Sequence, residues 1–150
     1  MSDLLIGTDR GVFRLNADGR ARREEEPPSA AFFARTHDGR GLDRHYPVPL
    51  VAARNRPGTL YTAAAASPPP GWSQGADAAL YRSDDGGEHR MLLETGLPRP
   101  FAAMVRQIAV DDGDAVSIAA GHEVFVSHDR GDRWRRLAGH LPTVDALSFA

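Results

Sequence analysis

The chain has 150 residues, 41% of them hydrophobic, with no cysteine and a formal net charge of −2. Those figures suit one domain burying about 70% of its unfolded surface, and they exclude a disulfide framework, a thiolate zinc site and the basic footprint of a nucleic-acid binder. No apolar stretch is long enough to span a bilayer, and Asp3 and Asp9 stand where a signal peptide needs a basic start and an apolar run, so the expected location is cytoplasmic, with no membrane partner.

In chain order, LLIGT and GVFRL read as two short strands, followed by the turn NADGR and a polar strand, ARREE. A long polar segment, 25–47, comes next. Strands follow near 48–53 and 59–64, separated by a Gly- and Pro-containing turn. An insertion at 66–78 precedes strands near 79–83 and 89–93. After the link 94–103 the same order returns, with strands near 105–110, 115–119, 123–127 and 133–137. The last segment, 143–150, follows the break at Leu141-Pro142 and reads as one further strand. All 18 basic residues are Arg, which together with the Ala and Pro load reflects a genome-wide bias of bacterial kind.

The turns carry the most specific pattern. SHDRGDRW, Ser127 to Trp134, fits S-x-D-x-G-x-x-W at every fixed position, and SDDGGEHR, Ser83 to Arg90, repeats it with Arg90 in place of the Trp. Asp129 and Asp85 can accept backbone N–H bonds inside a tight turn, Gly131 and Gly87 can take positive φ, and the two serines add a second local partner. Trp134 can lay its apolar face beside the hairpin while its indole N–H finds an acceptor. Aligning GVFRLNADG with ALYRSDDGG and EVFVSHDRG gives a worn third copy, with Leu15 at the Ser position, Ala17 at the Asp position and Gly19 retained.

This pattern resembles the Asp-box of bacterial neuraminidase-like (BNR) repeat, sialidase-like β-propellers, a family that holds sialidases, other glycosidases and many propellers without known catalysis. The resemblance implies an all-β, propeller-like array of about three four-stranded antiparallel blades with Asp-box hairpin turns. The blades fall near 1–25 plus 143–150, 48–93 and 104–138, the C-terminal strand closing the first blade against Leu4 to Gly7. The boxes themselves are structural turns, so Asp85 and Asp129 stay outside the expected site. Three blades are fewer than the four of the smallest closed propellers, so a homodimer completing a ring is expected as a partner.

Two insertions, 25–47 and 66–78, and the link 94–103 open on one face, opposite the box turns, and loops of this length are usually functional or disordered. They supply the candidate ligand-binding residues His37, Asp38, Arg40, Asp43, Arg44, His45, Tyr46, Trp72, Gln74 and Arg99. Aromatic faces beside Arg, His and carboxylates suit a small carbohydrate-like ligand, a carboxylated molecule or a protein partner. The alternative is that Phe32, Phe33 and Trp72 pin the loops to the blades. The run Pro68 to Pro70 is expected to stiffen its loop and point Trp72 outward.

No catalytic set and no cofactor are expected. A glycosidase of ordinary type needs two facing carboxyl groups, and sialidase-like enzymes use a Tyr nucleophile. Tyr46 with Asp43, Arg44 and Arg40 can be drawn that way, whereas Tyr61 and Tyr81 read as strand residues. The Arg-Ile-Pro signature of sialidases is missing. His37, Asp38 and His45 match no closed metal-site spacing, so no metal is expected. The reading is a non-catalytic binding or assembly module. The alternative is a sialidase-like glycoside hydrolase whose site is completed by another chain.

Overall fold

The computed structural model describes residues 4–8, 11–15, 21–23, 42–138 and 141–149. It is all-β, with one short 3-10 turn, Pro69–Gly71, among the described residues. Two compact units divide the chain, Met1–Ala34 and Arg35–Ala150. None of the helical structure described is long and apolar enough to cross a membrane.

The first unit contains β1 (Leu4–Thr8), β2 (Gly11–Leu15) and β3 (Ala21–Arg23), an antiparallel sheet in chain order. Leu4 faces Leu15 and Thr8 faces Gly11 across the first hairpin, and Phe13 faces Arg23 across the second.

The second unit holds two four-stranded antiparallel meanders. The first runs β4 (Tyr46–Ala52), β5 (Leu60–Ala65), β6 (Ala78–Ser83) and β7 (Met91–Leu93). The second runs β8 (Val105–Val110), β9 (Val116–Ala120), β10 (Glu123–Ser127) and β11 (Arg135–Ala138). Strand alternation sends Tyr61, Ala63 and Ala65 of β5 and Ala78 and Leu80 of β6 into a shared core with Val116, Ile118 and Phe125 of the second sheet. The opposite face of the first sheet gathers Ala64, Ala79 and Tyr81, with Leu42 packed against them. A register shift between Val105 and Gln107 changes the phase of β8, which lets Val105 and Ile108 reach the same core. Burying side chains such as Leu80 and Ile118 stabilises the unit by about 1.5–3 kcal/mol each. The alanines of β5 and β6 add little area, but their small size lets the sheets approach closely, with β8 lying against β4, β5 and β6.

The two serine turns repeat bond for bond. Ser127 Oγ donates to Asp129 Oδ1 at 2.7 Å and accepts the Gly131 N–H at 2.8 Å, while Asp129 Oδ1 accepts the Arg133 N–H at 2.9 Å. At the other copy, Ser83 Oγ donates to Asp85 Oδ1 at 2.8 Å and accepts the Gly87 N–H at 2.8 Å, and Asp85 Oδ1 accepts the His89 N–H at 2.9 Å. Gly131 has φ +92° and Gly87 φ +98°, the region only glycine enters without strain. Trp134 is buried, and its indole Nε1 donates to Gly131 O at 2.8 Å. The hydrogen bond from Ser127, then the Arg133 N–H, holds the Asp129 carboxyl below its ordinary pKa. The His89 backbone N–H and ring do the same for Asp85.

The C-terminal segment departs from expectation. Among the described residues, 143–149 form no strand. The Val144 N–H donates to Gly121 O at 3.1 Å and Asp145 O accepts from Gln107 Nε2 at 2.7 Å, so these backbone groups are spent singly on the second sheet and no ladder forms. The expected closing strand is therefore not made by 143–149, and the sheet of β1, β2 and β3 has three strands among the described residues.

Candidate functional site

A cluster of polar side chains forms where the chain enters β4 and where the β5–β6 loop returns to β6. His45 N–H donates to Ala65 O at 3.2 Å, fixing the approach to β4, and the Ala66 N–H is shared between Ala76 O and Asp77 O, closing the loop. Asp77 closes that loop at φ +46°. Arg44 reaches across the gap. Its Nε donates to Asp77 O at 2.7 Å, Nη2 to Asp77 Oδ1 at 2.9 Å, and Nη1 to both Asp43 oxygens at 2.9 Å and to Tyr81 Oη at 3.2 Å. The Tyr81 hydroxyl donates to Asp43 Oδ1.

These contacts set the charge states. The hydrogen bond from Tyr81, helped by the Arg44 charge, lowers the Asp43 pKa despite partial burial. Burial, then the bond to Asp43, pushes the Tyr81 phenol up to about 12. Burial opposes the Arg44 charge, but its bonds to Tyr81 and Asp77 outweigh that and raise its pKa. At neutral pH the cluster thus holds an ionised Asp43, a protonated Tyr81 and a charged Arg44.

Beside the cluster lies a cleft of about 260 Å³. Arg44 forms part of its wall, Ala78, Ala79, Leu93 and Phe101 its apolar lining, and Glu94 and Arg99 its charged border. The link 94–104 is pinned there by two bonds between Phe101 and Ala78, at 2.9 and 3.1 Å, and by the Ala76 N–H to Ala102 O at 2.8 Å. Glu94 and Arg99 form a long ion pair at 3.5 Å, with both side chains partly open to solvent. Phe101 is itself buried, edge-on to Phe125 with centroids 5.8 Å apart.

The candidate residues divide. Asp43, Arg44 and Arg99 come together around the cluster and cleft. His45 and Tyr46 are exposed nearby, Tyr46 opening β4 opposite Ala65. Gln74 is exposed on the β5–β6 loop. Trp72 turns inward and not outward: its Nε1 donates to Ser67 O at 2.8 Å, its ring packs against the core, and the Arg106 guanidinium sits 5.6 Å from the ring centre. Its backbone C=O also accepts the Met104 N–H at 2.8 Å, so Trp72 pins its loop. His37, Asp38 and Arg40, with Phe32 and Phe33, lie outside the described residues.

Tyr81, Asp77 and Glu94 complete the site and were not among the sequence candidates. The available signal for Tyr81 was its place in ALYRS, where Leu80 and Tyr81 must face opposite sides of the sheet. Ala64 and Ala79 beside it leave room for a hydroxyl to reach the rim. Among the described residues, no group of three or more His, Asp or Glu side chains gathers as metal ligands would. No protein-family model matches the chain, and no curated protein matches it significantly.

Proposed function

We propose that the chain is a cytoplasmic binding and assembly module of the Asp-box repeat propeller kind, taking a small polar ligand in the cleft bordered by Arg44, Glu94 and Arg99. The observation that carries this reading is the convergence of charges of both signs on a small, partly apolar cleft. The charge states favour binding over catalysis: a general acid or base works best with a pKa near the operating pH, and the shifts of Asp43 and Tyr81 move both groups away from neutrality. The bond-for-bond repetition of the two serine turns, each between the third and fourth strands of a meander, supports treating each sheet as a blade. A second copy of the chain is the proposed partner for completing a ring.

Ligand-observed NMR with a panel of neutral sugars, sialic acid, amino acids and simple carboxylates tests the binding function. At least one saturable ligand, displaced from Arg99→Ala protein and chemically unchanged after prolonged incubation, is expected. Turnover of the ligand, or no saturable binder together with a strict monomer in light scattering, overturns the reading.

A second reading has one observation in its favour. Tyr81 donating to Asp43 beside Arg44 is the kind of tyrosine–carboxylate–arginine group a sialidase-like hydrolase uses, with Tyr81 in the place expected of Tyr46. Hydrolysis of an aryl sialoside that disappears in Tyr81→Phe would favour this enzyme over the binding module.

A further inference from the structure

We infer that the cleft takes a free aliphatic α-amino acid, a narrower statement that rests on the ligand-binding reading above. Size comes first. A volume of about 260 Å³ lies below the range of roughly 300–1,000 Å³ that holds drug-sized ligands, so the occupant is about the size of one amino acid.

Charge comes second. The charged lining is Arg44, Arg99 and Glu94, and Arg44 is already paired with Asp43 and Asp77, so the cleft presents one carboxylate and one largely uncommitted guanidinium side by side. A zwitterion satisfies both signs without adding net charge. The Glu94–Arg99 separation of 3.5 Å is longer than the 2.7–2.9 Å of a charge-assisted hydrogen bond, and a partly exposed pair of this kind opens at little cost. The ligand carboxylate takes Arg99, and its ammonium takes Glu94. Arg44 offers a second donor: of its five N–H groups, those on Nε and Nη1 and one on Nη2 are committed to Asp77, Asp43 and Tyr81, which leaves one Nη2 hydrogen without a partner among the described residues.

The lining comes third. Ala78, Ala79, Leu93 and Phe101 offer aliphatic contact and no open aromatic platform, because Phe101 is buried edge-on to Phe125. Trp72, the large aromatic of the neighbouring loop, lies outside the lining and carries Arg106 near its ring. Sugars bind chiefly by stacking on such platforms, so the lining favours a branched alkyl side chain over a pyranose ring.

Isothermal titration of the full chain with L-leucine at neutral pH tests the assignment. L-leucine is expected to bind saturably, glycine at least tenfold more weakly for want of the buried side chain. N-acetyl-L-leucine, without the ammonium, and L-leucinamide, without the carboxylate, are each expected to lose tenfold or more, as are Arg99→Gln and Glu94→Gln for L-leucine itself. Arg99 is exposed and Glu94 partly so, and circular dichroism checks that the variants remain folded. Equal affinity for L-leucine and N-acetyl-L-leucine, or no effect of either substitution, overturns the proposal. Saturable binding of methyl glucoside or sialic acid without binding of L-leucine overturns the ligand class and leaves the binding module standing. Failure of every probe, with a strict monomer, removes both.

Discussion

Replacing Gly96 by alanine should destabilise the second unit more than any comparable change at a turn glycine. Gly96 follows β7, and the adjacent Thr95 carbonyl accepts the Trp134 N–H at 2.9 Å, so its backbone lies directly on the chain entering β11. A Cβ placed on Gly96 would collide with Trp134 O and meet Trp134 C at 3.0 Å, both main-chain atoms that cannot turn aside as a side chain does. The φ of +87° adds its own penalty. Left-handed backbone costs a non-glycine residue about 1–2 kcal/mol, and overpacking costs about 1–3 kcal/mol, so Gly96→Ala should lose about 2–5 kcal/mol in all. Gly86 is the control: it has φ +74°, with nothing within 4 Å of an added Cβ, so Gly86→Ala should lose only the backbone part, about 1–2 kcal/mol. Urea unfolding followed by tryptophan fluorescence and circular dichroism gives both values. Equal losses for the two variants would refute the close contact between the β7 exit and the β11 entry.

Trp134→Ala should lose about 3–5 kcal/mol as a large-to-small change in a packed site, measured by the same unfolding curves with circular dichroism as the readout. Asp129→Ala should lose about 1–2 kcal/mol, as the loss of a local capping side chain does, and should leave ligand affinity in calorimetry unchanged. In a spectrophotometric pH titration Tyr81 should ionise near 12, and Tyr81→Phe should remove that step. Because burial raises this pKa above the unfolded value of about 10, its contribution to stability is complete below pH ~10 and is lost as pH rises towards 12, which alkaline unfolding of the two proteins can compare. Light scattering at low micromolar concentration should give the mass of a homodimer, and a well-folded monomer that binds no other copy would rule out ring closure by self-association.

Local pattern carried most strand positions and failed where a strand depends on a distant partner. In GHEVFVSHDRG, a run of three apolar residues, Val124 to Val126, stands between Gly121 and the serine turn, and β10 occupies Glu123–Ser127 as its sequence predicts. VDALSF is apolar at four of its six positions, but an apolar segment says only that it could pair, not that an edge is available. Its backbone groups instead make single bonds to Gly121 and Gln107. At the site, Asp43, Arg44 and Arg99 were legible as charges on loops. Their partner Tyr81 was not, because its strand position predicts burial of the ring and is silent about a hydroxyl meeting a carboxylate that lies before β4. Trp72 was misdirected for a related reason. The proline run stiffens its loop, but the direction of the indole is set by Ser67 O and the core beneath it.

The bonds that run from one serine turn to the other come from Arg82, just before the motif, and from its variable positions, not from its fixed ones. The fixed Ser, Asp and Gly residues spend their bonds inside their own turns. Between the turns, Arg82 Nη1 donates to Arg130 O at 2.7 Å and to Asp132 Oδ1 at 2.8 Å, its Nε donates to Asp84 Oδ2 at 3.1 Å, and Arg130 Nη2 also pairs with Asp84. Tyr61 Oη adds a bond to Arg130 O at 3.1 Å, and Arg130 takes φ +64° in this arrangement. In the register of the motif, Arg82 and Asp84 correspond to Val126 and His128, while Arg130 and Asp132 correspond to Gly86 and Glu88. Each turn therefore supplies one half of an asymmetric clasp. A pattern that keeps only Ser, Asp, Gly and Trp identifies the hairpins, yet it omits the residues that bond one turn to the other. Arg82 and Asp84 meeting Arg130 and Asp132, together with Arg56 on Asp114 and Asn55 on Asp112, fasten at their polar end two sheets that the shared core already holds together.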